Sequence, residues 1–292
     1  MIKIKKLTKM YKGKKAVDKI DLHIKRGETF GFIGPNGAGK STTIRCILKL
    51  INKNQGEIFV NGQNIEKSEE YKDEIGYLPS DVNLYQNFKV SEIFKYASKL
   101  YKKDCEKRLN YLVEKLEIDT TKKINELSYG NLKKVGIVIA LMHEPKIVIL
   151  DEPTSGLDPL KQKEFFEILK EEKEKGTIIF FSSHNLEEVK KISDRVGIIK
   201  DGKIVEIKTK EELTNYEYMI ITIKSEELEN IDFGYTKKEL IEKSNNLIKY
   251  IYKGNINELL KKLTNINIQM LSIESPSIEE IFMHYYEEEK ND

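Results

Sequence analysis

The 292-residue sequence predicts an α/β fold around a mainly parallel sheet, followed by a small α+β domain. Three observations carry this expectation. Apolar strand segments alternate with amphipathic helix segments along most of the chain. A glycine-rich loop, GPNGAGKS, lies between one such strand and the next helix. Beyond about residue 216 the alternation gives way to short strands and helices in a different order.

The elements follow in order. IKIKKL, AVDKIDLHI and ETFGFIG read as strands, with Gly13 and Gly27 at the turns. STTIRCILKLI then repeats apolar side chains at Ile44, Ile47, Leu48 and Ile51, the period of a helix. QGEIFVNGQNI reads as a hairpin and EIGYLPS as a strand. Residues 90 to 143 read as helical throughout. KIVILDEP is a buried strand ending in carboxylates, and residues 159 to 175 form a charged amphipathic helix. TIIFFSSH is the next buried strand, NLEEVKKIS a helix, and GIIKDGKIVEI a hairpin around Asp201 and Gly202. In the tail, YMIITIK, LIKYIYKG and INIQMLSIE read as strands, with NINELLKKLT and SIEEIFMHYYEE as helices. Ser277 and Glu280 are spaced for a capping box on the last of these. The expected domains are 1–216, with a helical subdomain at about 82–145, and 217–292.

Composition narrows the function. Charged residues make up 34% of the chain, yet the formal net charge is only +2. Lysines interleave with glutamates, the pattern of solvated helix faces, so no nucleic-acid partner is expected. Cys46 and Cys105 lack metal-ligand spacing and read as reduced thiols. The N-terminal stretch lacks the apolar core of a secretion signal. The longest apolar run, Val135–Met142, is far below the roughly 20 residues a membrane span needs. A protein that docks on a membrane component from the cytoplasmic face remains compatible with this.

The chemistry is concentrated in a few places. Gly34, Pro35, Asn36, Gly37, Ala38, Gly39, Lys40 and Ser41 match G-x-x-x-x-G-K-[ST] in the strand-to-helix context that the motif requires. Such a loop closes backbone N–H groups around phosphate oxygens, and the helix start adds its field. Lys40 then reaches the β- and γ-phosphates and Ser41 ligates Mg²⁺. Ile147–Leu150 carry Asp151 to the C-terminal edge of the sheet, where it is placed for the metal, directly or through water. Glu152 follows as the general base for the attacking water. Standing alone, the first motif is a glycine turn and the second a helix cap; their co-occurrence favours a nucleotide site. A guanine-specific Asn-Lys-x-Asp element is missing, since NKNQ at 52–55 lacks the aspartate and follows a helix.

LSYGN, at 127–131, opens an apolar helix, and Lys133 and Lys134 follow after Leu132. Cations are disfavoured at a helix start, so this one suits an anion. The two lysines are expected beside a triphosphate or out in solvent.

With these motifs in this order, residues 1 to about 216 resemble the ATP-binding subunit of an ABC transporter. The resemblance implies a P-loop cassette with an antiparallel β subdomain and a helical subdomain, binding ATP and Mg²⁺ through Gly34–Ser41 and Thr42. It implies that Tyr11 stacks on adenine, that SGLDP supplies Asp158 in the D-loop, and that His184 contacts the γ-phosphate. LSYGN stands at the family's LSGGQ signature, so Ser128 and Gly130 would cap the phosphates of ATP held by a second copy. Alone, Tyr11 is a surface aromatic, His184 a loop residue and Asp158 a turn residue.

The implied partners are a second ATP-binding subunit, as a homodimer, and a multi-spanning permease. The C-terminal SPSIEEIFMHYYEEE further resembles the extension of export ATPases of the bacitracin and daunorubicin type, with a dimer-stabilising or regulatory domain as the equal alternative. Soluble cassettes of translation factors and DNA-repair ATPases are the alternative, as is a subunit that hydrolyses ATP poorly. Translation factors carry two cassettes and repair ATPases long coiled coils; neither pattern is present here.

Two positions depart from the family pattern. Leu78-Pro79-Ser80-Asp81 stands where the family has Leu-Pro-Gln, and Ser80 is too short for the glutamine's reach to metal and water. Three readings stay open: Ser80 acts through a bridging water, Asp81 substitutes, or the contact is absent. In the signature, Tyr129 replaces glycine and Asn131 glutamine, and the Tyr129 ring is expected to turn away from the phosphates.

Overall fold

The structure is a computed structural model and describes residues 1–214, 219–226, 228, 239–264 and 267–274. Two long strands begin it, β1 (Ile2–Tyr11) and β2 (Lys14–Ile24), followed by the fully buried β3 (Thr29–Ile33). Helix α1 (Lys40–Ile47) leaves the glycine loop, and β4 (Gln55–Val60), β5 (Gln63–Asn64) and β6 (Ile75–Leu78) follow. Next come α2 (Val90–Ser98), α3 (Glu106–Lys115), α4 (Tyr129–Leu141) and β7 (Ile147–Asp151). Then α5 (Pro159–Glu174), β8 (Ile178–Ser183), α6 (Leu186–Ile192), β9 (Arg195–Lys200) and β10 (Lys203–Thr209) lead to α7 (Lys210–Thr214).

The central sheet has the order β10-β9-β3-β8-β7-β6, parallel except for β10. Strands β3, β7 and β8 are buried along their whole length, as expected where both faces of a parallel sheet are covered. A second, antiparallel sheet orders as β2-β1-β4-β5. One apolar core joins the two, packing Ile2, Leu22 and Ile58 with Phe30, Phe32 and Ile149.

Register decides where the chemistry falls. Ile33 pairs with Ser183, Asp151 with Ser182, and Leu78 with Leu150. The loop after β3, the carboxylates after β7, the residues after β8 and the loop after β6 therefore share one sheet edge. Helix α4 lies tight on β6 because Gly76 has no side chain: a Cβ there would stand 1.9 Å from the Ala140 carbonyl oxygen.

Residues 90 to 143 are helical only in pieces, correcting the continuous reading. The helices stop after Ser98 and Lys115, and a single 3-10 turn at Ile124–Glu126 precedes α4. One cause is local. The Thr121 backbone N–H and hydroxyl both donate to Asp119, at 3.0 and 2.6 Å, an arrangement that competes with helix hydrogen bonding.

The chain divides into two compact units, Met1–Lys210 and Glu211–Asp292. Within the second, β11 (Met219–Ser225), β12 (Leu240–Lys243), β13 (Leu247–Tyr252), α8 (Ile256–Leu263) and β14 (Ile268–Glu274) make a sheet ordered β12-β13-β11-β14. Leu259 and Leu263 of α8 pack with Ile221, Ile223, Ile248 and Tyr250. Strand β12 was not anticipated, because LIEK has too short an apolar pattern to stand out. The expected helix SIEEIFMHYYEE and its capping box lie outside the described residues. Among the described residues, no helix is long and apolar enough to cross a membrane.

Candidate nucleotide site

The glycine loop is shaped by close approaches. A Cβ at Gly34 would stand 2.3 Å from the Ile199 carbonyl oxygen, and one at Gly39 would stand 2.5 Å from that of Ala16. Gly39 also has φ of 110°, a backbone state that favours glycine. Side chains at either position would push the loop off β9 and β2. The loop's backbone is thereby held at the start of α1, where N–H groups have no intrahelical partners.

Lys40 is buried, and its ammonium donates to the carbonyls of Gly34 (2.7 Å) and Pro35 (3.3 Å). The same nitrogen is 3.3 Å from Glu152 Oε1. The other carboxylate oxygen of Glu152 is 2.7 Å from His184 Nδ1. One carboxylate thus links the loop lysine and the histidine after β8. Glu152 has φ of 48°, a left-handed conformation uncommon for a non-glycine residue. Its N–H is held by the hydroxyl of Ser182 at 3.1 Å. That strained turn aims the carboxylate across the edge of the sheet.

Asp151 is fully buried. Its Oδ1 accepts hydrogen bonds from Ser41 (3.0 Å) and Ser182 (2.6 Å), while Oδ2 is buried without a partner. A half-satisfied buried carboxylate beside a serine hydroxyl suits a hard cation with oxygen ligands. Ser182 escaped the sequence reading. The signal was the two serines ending an otherwise apolar strand, TIIFFSS, where a fully buried position would favour another apolar residue.

Helix α4 starts differently. Ser128 is its N-cap, accepting from the Asn131 N–H at 3.4 Å. Gly130 is needed for packing, since a Cβ would stand 2.7 Å from the Gly156 carbonyl oxygen. The Tyr129 ring fills the space beside Gly156, and its hydroxyl donates to the Ser80 carbonyl at 3.2 Å. The ring therefore turns toward its own chain's loops. Asp158 caps α5 by accepting from the Lys161 N–H at 3.0 Å, with Pro159 at the first helical position. Tyr11, at the end of β1, is half-exposed, with Lys9 Nζ 4.8 Å from its ring centre. No hydrogen bond or ion pair among the described residues joins Ser128, Gly130, Asp158 or Tyr11 to the group of Lys40, Asp151, Glu152 and His184.

Lys133 and Lys134 contradict the expectation of solvent or open phosphate contact: both are buried. Lys133 donates to the carbonyls of Ser80 (2.7 Å) and Pro79 (3.2 Å). A long side chain in a helix reads as solvated from sequence, and here α4 lies under the loop after β6 instead.

Comparison with known proteins identifies the family. A family model described as ABC transporter matches residues 17–155. An ABC transporter ATP-binding protein of Methanocaldococcus jannaschii, itself uncharacterised, is 36% identical over 265 residues, spanning 88% of this chain and 97% of its own length. The chain belongs to the ABC transporter ATP-binding proteins. The bacitracin transport ATP-binding protein of Bacillus licheniformis is 39% identical, covering 70% of this cassette's chain and 69% of its own. The dimeric structure of a bacterial ABC transporter cassette superposes with a TM-score of 0.66 at 26% identity, covering 72% of this chain and 98% of that one. The cassette is accordingly an ATPase that powers a membrane transporter. Within it, the motif residues form two separate groups: the loop, Asp151, Glu152 and His184 in one, the signature helix with Gly156 and Ser80 in the other.

Proposed function

We propose that this cassette binds Mg-ATP at the sheet edge and hydrolyses it in a composite site shared with a second copy, driving export through a separate multi-spanning permease at the cytoplasmic membrane face. The observation that carries the reading is the Lys40–Glu152–His184 chain beside the half-satisfied Asp151. Gly34–Thr42 cradle the phosphates, with Lys40 on the β- and γ-phosphates. Ser41 and Asp151 hold Mg²⁺, which supplies charge neutralisation at the phosphates when bound. Glu152, braced by Ser182, takes the proton of the attacking water, and His184 steadies Glu152 and the γ-phosphate. Tyr11 carries the adenine.

Ser128 and Gly130, at a half-exposed helix start, face outward for the phosphates of the partner's ATP, with Asp158 at the same interface. Export of a drug, peptide or antibiotic is supported by the likeness to the bacitracin transport protein.

Glu152→Gln keeps the hydrogen-bonding shape and removes the base. It is expected to lower turnover by about 10²- to 10⁴-fold while ATP holds the chain as a dimer in size-exclusion chromatography. A monomer at saturating ATP sinks the composite-site reading. Pull-down from solubilised membranes tests the partner, with a co-purifying multi-spanning protein expected; recovery of ribosomes or DNA alone refutes transport.

A further inference from the structure

The loop after β6 lacks the glutamine that would reach the metal and the water, yet it is not loose. The carbonyl oxygen of Ser80 accepts two hydrogen bonds, from the Lys133 ammonium at 2.7 Å and the Tyr129 hydroxyl at 3.2 Å. Lys133 also holds the Pro79 carbonyl at 3.2 Å. Both donors come from the first turns of α4, and the departures from the family pattern at Ser80 and Tyr129 meet at one oxygen.

Lys133 is buried to 1% exposure, and no carboxylate lies within ion-pair distance of it among the described residues. Burial pushes its ammonium down to about 8, while the charges of Asp151, Asp81 and Glu152 act the other way and favour the cation. A buried lysine held only by two carbonyls is an expensive structural choice, since an apolar side chain of similar length would fill the space. Its return is rigidity in a specific place. The main chain at Pro79–Ser80 is fastened to the helix whose first residues are the signature, and the Tyr129 ring fastens the same helix to Gly156.

We propose that Lys133, assisted by Tyr129, is a positioning residue that binds the backbone of the loop after β6 to α4, so that this loop and the signature presented to the partner move as one body. The inference rests on the composite-site reading above. The tether adjusts the geometry of hydrolysis without touching nucleotide. It therefore predicts a loss in turnover separated from any loss in ATP binding.

The test uses the purified full-length chain and three variants, each measured for equilibrium binding of a fluorescent ATP analogue and for kcat and KM of ATP hydrolysis. Lys133→Met keeps the stem and removes the donors; kcat falls about tenfold while analogue binding stays within about twofold. Lys133→Arg keeps charge and donors and stays within about threefold of the parent in kcat. Tyr129→Phe removes one neutral hydrogen bond and lowers kcat by about two- to threefold. Unchanged kcat in Lys133→Met overturns the inference, and so does an arginine variant as slow as the methionine one. Where Lys133→Met fails to fold, the half-exposed Tyr129→Phe decides, and unchanged kcat there overturns it. A parent chain that binds no nucleotide removes the composite-site reading itself, a result distinct from a parent that turns over normally while Lys133→Met does too.

Discussion

The two helix starts proposed to bind phosphate are built on opposite plans. At α1 the cap is Gly39 in a left-handed conformation, with no side-chain capping bond, and Lys40 and Thr43 are buried at once. At α4 the cap is the exposed Ser128, the next residue, Tyr129, is 46% exposed, and the buried cation comes a turn later at Lys133. The first start is complete within the chain: loop, lysine, aspartate and glutamate touch one another. The second shares its contacts with Gly156 and Ser80 and shows its capping residue to the outside. A preformed cradle binds ligand alone, whereas an outward cap needs something else to bring the ligand. That difference is what a site divided between two molecules requires.

The largest test of the contrast is Lys40→Met. The lysine is the charge common to the Gly34 and Pro35 carbonyls and Glu152, so its removal strikes binding and turnover together. A fall in kcat/KM of about 10³-fold is expected, equivalent to about 4 kcal/mol. A small change in steady-state kinetics would show that the α1 start is not the complete half of the site.

Next in size is Gly130→Ala. Its Cβ would stand 2.7 Å from the Gly156 carbonyl oxygen, which is backbone and yields little. Forced separation of the two loops should cost about 1–3 kcal/mol. It is expected to weaken ATP-driven dimerisation of the Glu152→Gln background about tenfold, with nucleotide binding to the monomer unaffected. Sedimentation equilibrium with and without ATP reads both. Equal losses in dimerisation and monomer binding would erase the distinction between the two starts.

The cradle was legible because each of its signals is local. GPNGAGKS carries its own conformation in its glycines, and the apolar runs before Asp151 and Ser183 announce buried strands whatever surrounds them. The signature half was legible as a motif but not as a structure. Nothing local says that Lys133 is buried, because that depends on the loop from Pro79 crossing above α4. Ser182 was hidden for a similar reason: its bond to Asp151 follows from register between β7 and β8. The break at Lys115 was missed because amphipathic spacing persists across the polar turn that Asp119 and Thr121 hold out of the helix.

Acid should weaken the packing just beyond α4. His143, just beyond α4, is buried and stacked on Tyr101 with ring centres 3.9 Å apart. Burial pushes its imidazole down to about 4. The unfolded chain takes up this proton below about 6.5 while the folded chain stays neutral until about 4. Stability from this residue is therefore fully present above about 6.5 and is lost as the pH falls from there toward 4, by about 2 kcal/mol at pH 5. Melting temperatures between pH 7 and 5 should fall in the parent and fall less in His143→Phe. Identical slopes would show that the anchor of α4 is indifferent to this proton.

The smallest effect is expected from Ser80→Gln, which restores the family's side chain at the loop between the two groups. Its backbone carbonyl, the atom that Lys133 and Tyr129 hold, is unchanged by the substitution. The position is partly exposed, so an added amide has room without displacing the core. ATP binding should stay within about twofold of the parent, because the α1 cradle makes no use of the Ser80 side chain. Turnover should change by less than about threefold, since the Lys133 and Tyr129 bonds that position the loop persist. Isothermal titration with ATP and steady-state hydrolysis measure the two quantities. Abolished binding would place this loop inside the nucleotide cradle, and the division of the molecule into a complete start and a shared one would have to be redrawn around it.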